Sequence, residues 1–279
     1  MWPFRRSRPT ALAPAPAPDH LDVAVISDVG NVRSQNEDRG RFVRPGDAET
    51  RARKGVLVLV ADGMGGHHAG DVASTTAADV VSERYYASDA PPQSALEDAF
   101  RHANARIRSA AADGRDGMGT TCTALVLRGG QAVWAHVGDS RLYRRRRGRI
   151  ERLTTDHSVV AELVADGVLT EDEARHHDQR NVITRALGIA EAVEVTPGGP
   201  QPVEVGDTFV VVSDGLYDLV TDLEIAAVLE GGRAWDAAHA LVEQAKARGG
   251  HDNVTVAVVR VEPAPSEPAR ETATATPLS

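Results

Sequence analysis

Two apolar runs that each end in an aspartate–glycine pair constrain the fold of this chain more than any other feature. Residues 56–61 read Val-Leu-Val-Leu-Val-Ala and lead directly into Asp62. Residues 209–213 read Phe-Val-Val-Val-Ser and lead directly into Asp214. Continuous apolar runs of this length are typical of buried strands, and the glycine allows a sharp turn. Each run therefore predicts a strand whose end holds a carboxylate rigidly and points it into open space.

The other predicted strands and helices come in blocks. Helical spacing of apolar residues predicts neighbouring helices over residues 69–86 and 94–112. Three strands then follow over residues 121–127, 132–136 and 141–146, with glycine-containing turns between them. The same patterns predict strands over residues 23–27 and 254–261, and helices over residues 158–166, 171–175, 222–229 and 234–247. This grouping predicts an α+β fold, and the short connections favour antiparallel pairing.

Low-complexity ends flank the predicted folded unit. Residues 1–20 are rich in Arg, Pro and Ala, and residues 262–279 are rich in Pro, Ala, Thr and Glu. Neither end has enough apolar side chains to offset the entropy of ordering, so both are expected to be disordered arms. The folded unit then covers residues 21–261, which is long enough to bury a sizeable core.

Charge and residue usage argue against several function classes. A net charge of -9 and 4% aromatic residues argue against a general nucleic-acid binder. Prolines interrupt the apolar residues that follow Arg5 and Arg6, and no apolar run approaches the ~18 residues that cross a bilayer. The single cysteine, Cys122, is expected to be a buried apolar residue. We therefore expect a cytoplasmic protein without membrane or nucleic-acid partners.

Carboxylates recur at the predicted turns and strand ends. They are Glu37, Asp38, Asp62, Asp139, Asp214 and Asp252. A lone Asp-Gly pair is usually only a turn, but several such motifs in series leave that reading little weight. Oxygen ligands without cysteine suit Mg²⁺ or Mn²⁺ rather than zinc or copper. Two such ions about 3.5 to 4 Å apart can share a water and lower its pKa.

An arginine near the first acidic motif points to a substrate class. Arg33 lies four residues before Glu37. Its planar guanidinium matches phosphate oxygens two at a time, which a lysine does not. A cage of carboxylates alone would repel a phosphate, so the arginine favours a phosphorylated substrate.

The order of these motifs resembles that of the metal-dependent serine/threonine phosphatases of the type 2C (PPM) family, in their bacterial form. The matching segments are Arg33-Ser-Gln-Asn-Glu-Asp38, Asp62-Gly-Met-Gly-Gly-His67, Gly117-Met-Gly-Thr-Thr121, Gly138-Asp-Ser-Arg141, Leu153-Thr-Thr-Asp-His-Ser158, Ile183-Thr-Arg-Ala-Leu-Gly188, Ser213-Asp-Gly215 and Gly250-His-Asp-Asn-Val-Thr255. The resemblance spans essentially the whole folded unit. It implies a four-layer α-β-β-α sandwich of two mainly antiparallel sheets flanked by helix pairs.

The resemblance also implies a binuclear Mn²⁺ or Mg²⁺ centre at one end of the sandwich. Asp62 would bridge the two ions, with the Gly63 carbonyl as a further ligand, and Glu37, Asp214 and Asp252 would complete the pair. Asp38 would hold metal-bound water, and Arg33 would bind the phosphoryl oxygens. Asp139, together with Asp214, would hold the third ion seen in bacterial members.

The implied reaction is hydrolysis of phosphoserine and phosphothreonine in proteins by a metal-bound hydroxide, without a phosphoenzyme. Animal members carry a histidine two residues after the first motif aspartate, where this chain has Met64. That histidine would protonate the leaving alkoxide. Here His67 or metal-bound water is the candidate general acid, and the alternative role of His67 is to cap the following helix. The resemblance further implies that the enzyme opposes a bacterial Ser/Thr kinase, and we expect a monomer.

Several alternatives stay open at this point. A catalytically silent phospho-binding module would normally lack an acidic ligand, and none is missing here. A phosphatase for small phosphorylated metabolites is a further alternative. In bacterial relatives the segment over residues 157–185 is a mobile flap beside the active site, and His176-His177-Asp178 within it reads as a solvated loop rather than a metal cluster. The run from Arg144 to Arg147 either docks an acidic substrate or discourages edge pairing of its strand.

Overall fold

Two sheets packed face to face form the centre of the molecule, which a computed structural model describes over residues 20–65, 69–111 and 117–263. In chain order the described elements are β1 (Leu21–Asp28), β2 (Asp38–Val43), α1 (Ala48–Lys54), β3 (Val56–Met64), α2 (Ala69–Ala87), α3 (Pro92–Ala111), β4 (Gly119–Thr120), β5 (Cys122–Arg128), β6 (Gln131–Val137), β7 (Arg141–Arg146), β8 (Arg149–Arg152), α4 (Val159–Ala165), α5 (Glu171–His176), β9 (Thr196–Pro202), β10 (Thr208–Val212), α6 (Asp214–Tyr217), α7 (Asp222–Val228), α8 (Ala234–Ala247) and β11 (Val254–Val261). Sheet I has the strand order β1-β11-β10-β7-β8, and sheet II has the order β2-β3-β5-β6-β9, with the short β4 paired to β3.

Alternation along the strands separates an inner core from two outer ones. Val58, Leu125 and Val211 belong to the core between the two sheets. Leu57, Val126 and the apolar face of α3 form the outer core of sheet II, where α2 and α3 pack. Val210 and Val258 face the opposite way, toward α7 and α8. The molecule is therefore an α-β-β-α sandwich, and the prediction of an α+β fold with two mainly antiparallel sheets is confirmed.

The described residues also bear on other sequence expectations. Cys122 is fully buried, as predicted, and burial raises the pKa of its thiol. Most of the predicted arms, residues 1–20 and 262–279, lies outside the described residues. Throughout the described part of the chain, no helix is both long enough and apolar enough to span a membrane.

The reading of residues 144–147 as a protected edge strand is wrong. Only the first three of these arginines lie in a strand, β7, and β7 is an internal strand between β10 and β8. Their guanidinium groups are engaged within the protein, Arg144 with Glu151 at 2.7 Å and Arg146 with Asp207 at 2.6 Å. Strand order depends on long-range pairing, so the local sequence could not show that β8 takes the edge.

Candidate active site

Three aspartates from two sheets meet at one end of the sandwich. The register of β2 and β3 places Asp38 directly opposite Asp62. Asp214 opens α6 one residue after β10, and the Asp62 carboxyl group lies close enough to those of Asp38 and Asp214 for both of their charges to raise its pKa. Ser213, which follows β10 of sheet I, links the two sheets, because its hydroxyl donates to Asp38 Oδ2 in β2 at 2.7 Å. The fold therefore brings the carboxyl groups of these three aspartates together at one end of the sandwich.

Electrostatics at this end of the molecule disfavour the charged forms of the aspartates. Burial raises the pKa of Asp38 to about 6, even though hydrogen bonds from Ser213 and Thr255 lower it. Burial and then the charges of Asp38, Asp214 and Asp139 raise the pKa of Asp62 well above its ordinary value. Like charges held close together in a poorly solvated site behave in this way. A divalent cation would relieve both effects, so the carboxylates fit an oxygen-liganded metal centre.

Glycines bring the backbone of the first acidic loop close to α2. The Gly63 amide donates to the Glu37 carbonyl at 3.2 Å, and a Cβ on Gly63 would collide with the Gly70 carbonyl oxygen. A Cβ on Gly70 would lie 2.9 Å from Glu37 Oε2, so the Glu37 carboxylate lies against the first turn of α2. Only residues without a side chain permit this approach, which places Glu37 and Gly63 beside Asp62.

Arg33 and Asp252 form an ion pair at the mouth of the site. Arg33 donates from Nη2 to Asp252 Oδ2 at 2.7 Å, and the Arg33 side chain is 54% exposed. The hydrogen bond with Asp252 raises the pKa of Arg33. Asp252 Oδ1 accepts from the Asn253 amide at 2.8 Å. The arginine is thus held at the carboxylates with part of its guanidinium open to solvent.

Asp139 lies in a separate network of aromatic and charged groups. The Tyr217 hydroxyl donates to Asp139 Oδ2 at 3.1 Å. The Arg141 guanidinium carbon lies 3.6 Å from the centroid of the Tyr217 ring. The same guanidinium donates hydrogen bonds from Nε and Nη2 to the Asp156 carboxylate. Burial and then the charge of Asp156 raise the pKa of Asp139 to about 6. The negative charge of Asp139 also raises the pKa of Asp62, so the turn that carries Asp139 belongs to the same acidic end of the sandwich.

The acidic side chains are engaged with protein partners. Asp38 accepts from Ser213, Asp139 from Tyr217, and Asp252 from Arg33. In the arrangement that the described residues adopt, no three His, Cys, Asp or Glu side chains form a ready-made ligand set for one ion. We therefore expect metal binding to exchange some of these partners for the cation.

Two other predicted features lie apart from this cluster or outside the described residues. His67 is not among the described residues, so its role stays a prediction. His176 ends the short helix α5 within residues 157–185; it and Asp178 are exposed, and His177 is half-buried. The expectation of a solvated loop there agrees with this exposure.

Sequence reasoning missed a positioning residue beside Asp252. Asn253 accepts from the Glu37 amide at 2.8 Å and donates to the carbonyls of Val29 and Gln35 at 3.0 and 2.8 Å. It thereby fixes the loop that carries Arg33 and Glu37 against the start of β11. Ser213 plays a similar part by linking Asp38 to the Thr255 amide. Both lie directly beside a motif aspartate, which was the available signal.

Comparison with known proteins agrees with this geometry. The family model described as protein phosphatase 2C matches residues 36–247. A putative protein phosphatase 2C-type of Streptococcus pyogenes serotype M6 is 36% identical over 249 residues, covering 87% of this chain and 98% of the relative. The serine/threonine phosphatase of S. agalactiae is 38% identical with a TM-score of 0.78, covering 87% of this chain and 100% of that one.

A further solved structure bears on the metal. The catalytic domain of the serine/threonine protein phosphatase PstP, in complex with 2 manganese ions, is 34% identical with a TM-score of 0.74. The match covers 87% of this chain and 99% of that chain. The family model, the sequence identities and the shared fold agree over most of the chain. This protein therefore belongs to the protein phosphatase 2C family, in its bacterial form.

Proposed function

We propose that this enzyme removes phosphate from phosphoserine and phosphothreonine in proteins, at a centre that holds two Mn²⁺ or Mg²⁺ ions. The observation that carries the proposal is the convergence of Asp38, Asp62 and Asp214, whose pKa values are all raised. Relatives named as serine/threonine phosphatases, one of them in complex with manganese, support the same reaction.

The ligand set that we propose contains oxygen atoms only. Glu37, Asp62, the Gly63 carbonyl, Asp214 and Asp252 would hold the two ions, and Asp139 with Asp214 would hold a third. Hard oxygen donors without thiolate or imidazole favour Mg²⁺ and Mn²⁺. When bound, such ions lower the pKa of water and offset the charge of the phosphoryl group.

The protein's own residues bind and orient. The part-exposed Arg33 guanidinium would donate hydrogen bonds to phosphoryl oxygens through its planar fork. The Asp252 carboxylate, which now pairs with Arg33, would then bind a cation instead. Asp38 is oriented by the Ser213 and Thr255 hydroxyls, which fix its carboxylate as a hydrogen-bond acceptor for water. We also propose, on the family resemblance alone, that the enzyme opposes a bacterial Ser/Thr kinase.

Phosphothreonine-peptide hydrolysis with Mn²⁺, Mg²⁺ or EDTA tests the proposal. We expect activity that depends on added metal. We also expect near-complete loss of turnover in Asp62→Asn and Asp214→Asn, while circular dichroism shows that both variants keep the fold. Asp47→Asn is the matched control, since Asp47 caps α1 and asparagine caps equally well. Comparison with p-nitrophenyl phosphate and sugar phosphates tests the protein-substrate assignment. A folded wild-type protein that is silent in every metal would instead indicate a phospho-binding module.

A further inference from the structure

A buried histidine grips the turn that carries Asp139. The His157 amide donates to the Gly138 carbonyl at 2.8 Å, and the Gly138 amide donates back to His157 Nδ1 at 3.1 Å. His157 therefore holds both polar groups of one residue, the one immediately before Asp139. Because Nδ1 accepts an N–H, the ring proton lies on Nε2, which donates to Thr196 Oγ1 at 2.9 Å. The side chain has a fixed tautomer and a fixed orientation.

The turn that His157 grips is tied to the aspartate cluster. Gly138 has a φ of 106°, and a Cβ there would lie 2.5 Å from Thr121 Cβ, so the turn packs closely on Thr121. The Thr121 amide donates to the Asp62 carbonyl at 2.8 Å, and the Asp62 amide donates to Thr121 Oγ1 at 3.0 Å. Displacement of Gly138 would therefore disturb both Asp139 and the backbone of Asp62.

The other side of His157 forms the base of the flap segment, residues 157–185. The Thr184 amide donates to the His157 carbonyl at 2.8 Å, and Ser158 pairs with Ile183 in an antiparallel bridge. The segment thus leaves and rejoins the sandwich at His157. One residue connects the metal-side turn, the flap segment and the start of β9 at Thr196.

A second histidine supports the ring. His136 lies with its ring centroid 4.6 Å from that of His157, and its two nitrogens lie 2.8 Å from Thr123 Oγ1 and 3.1 Å from the Thr155 carbonyl. Burial, and then the positive charge of Arg185, lowers the pKa of His157 to about 4. Both rings are buried, so His157 is a neutral, rigid hydrogen-bonding group.

We propose that His157 is a positioning residue that fixes the Gly138–Asp139 turn and the flap segment relative to each other through its Nδ1 atom. The proposal rests on the proposed function, since it gives Asp139 a part in metal binding. A packing role alone would depend on the volume of the ring. A positioning role depends on which ring nitrogen is reproduced.

Two substitutions separate these roles. The side-chain oxygen of asparagine replaces Nδ1, so His157→Asn keeps an acceptor for the Gly138 amide. The amide nitrogen of glutamine replaces Nε2, so His157→Gln keeps the Thr196 contact and leaves the buried Gly138 amide without its acceptor. We expect Mn²⁺ affinity and kcat close to wild type in His157→Asn, and a roughly 10- to 100-fold loss in His157→Gln, as for other residues that orient metal ligands. Asp47→Asn, at the N-cap of α1, is the control and should bind Mn²⁺ like the wild type.

Mn²⁺ affinity is measured by isothermal titration calorimetry on chelator-treated protein, and kcat on a phosphothreonine peptide. Equal results for the asparagine and glutamine variants, whether both normal or both reduced, would overturn the proposal. Hydrogen exchange of the Gly138 amide in metal-free wild type gives a reading that needs no variant. Strong protection supports the grip, and rapid exchange refutes it. Failure of the wild type to bind Mn²⁺ would refute the proposed function, whereas exchange at Gly138 would still report on the grip.

Discussion

Replacing Asp38 by asparagine should stabilise the metal-free protein while it impairs the enzyme. Asp38 is only 1% exposed, and its pKa is raised from 3.8 to about 6. A group that binds its proton more tightly in the folded state favours folding below its unfolded pKa and loses that contribution as pH rises through the folded pKa. At neutral pH, the ionised carboxylate therefore opposes folding.

The magnitude follows from the two pKa values. A difference of about two units corresponds to about 3 kcal/mol at pH 7.5, and to about 1 kcal/mol at pH 4.5, where most of the linkage has not yet developed. Asparagine carries no charge and can still accept from Ser213 Oγ. The expected rise in Tm at pH 7.5 is about 6–12 °C for a domain of this size.

The assay is thermal and urea unfolding of wild type and Asp38→Asn in EDTA, at pH 7.5 and pH 4.5. The gain should shrink on acidification, and it should also shrink when saturating Mn²⁺ stabilises the wild-type carboxylates. An unchanged Tm at pH 7.5, or an equal gain at both pH values, would show that ionised Asp38 does not oppose folding. Loss of phosphopeptide hydrolysis in the same variant would complete the expected exchange of function for stability.

Further substitutions test other parts of the site. Arg33→Lys keeps the charge but not the planar fork, so we expect a raised KM for a phosphothreonine peptide in steady-state kinetics, with the unfolding midpoint unchanged. Gly63→Ala places a Cβ against the Gly70 carbonyl and should lower stability by at least ~2 kcal/mol in urea titration. Asn253→Ala removes hydrogen bonds to the Glu37 loop, so about 3 kcal/mol of stability and most Mn²⁺ affinity should be lost together in calorimetry. If His67 is the general acid, His67→Gln should lower kcat and flatten the alkaline limb of the pH–rate profile; an unchanged profile would favour the capping role.

Local sequence was sufficient where one physical signal dominated. Runs of β-branched and aliphatic residues located β3 and β10. The turns expected at the glycines that follow are wrong, because β3 continues through Asp62 to Met64 and because Asp214 opens α6. The carboxylate cluster follows from these strand ends, because the fold brings them to one end of the sandwich. Its convergence was therefore predictable from the sequence, once the motif order had identified the family.

Elements without such a signal were missed. β9 reads Thr-Pro-Gly-Gly-Pro-Gln-Pro, which predicts a loop, and it forms a strand because an edge position tolerates residues that cannot donate to a partner on both sides. The hydrogen bonds that join Asn253 to Glu37 and His157 to Gly138 were also missed. Each joins residues far apart in sequence, and no local pattern records such contacts.

The position of β11 has a consequence for the making of the enzyme. This strand comes last in the described chain, yet it lies between β1 and β10. During synthesis the first strand must therefore wait for β11, its one sheet partner within the described residues, until nearly the whole domain has been translated. Asp252, which pairs with Arg33 across 219 positions of sequence, arrives equally late. A nascent or truncated chain that lacks β11 should expose the flank of β10 to chaperones and proteases, and it should have no phosphatase activity before release.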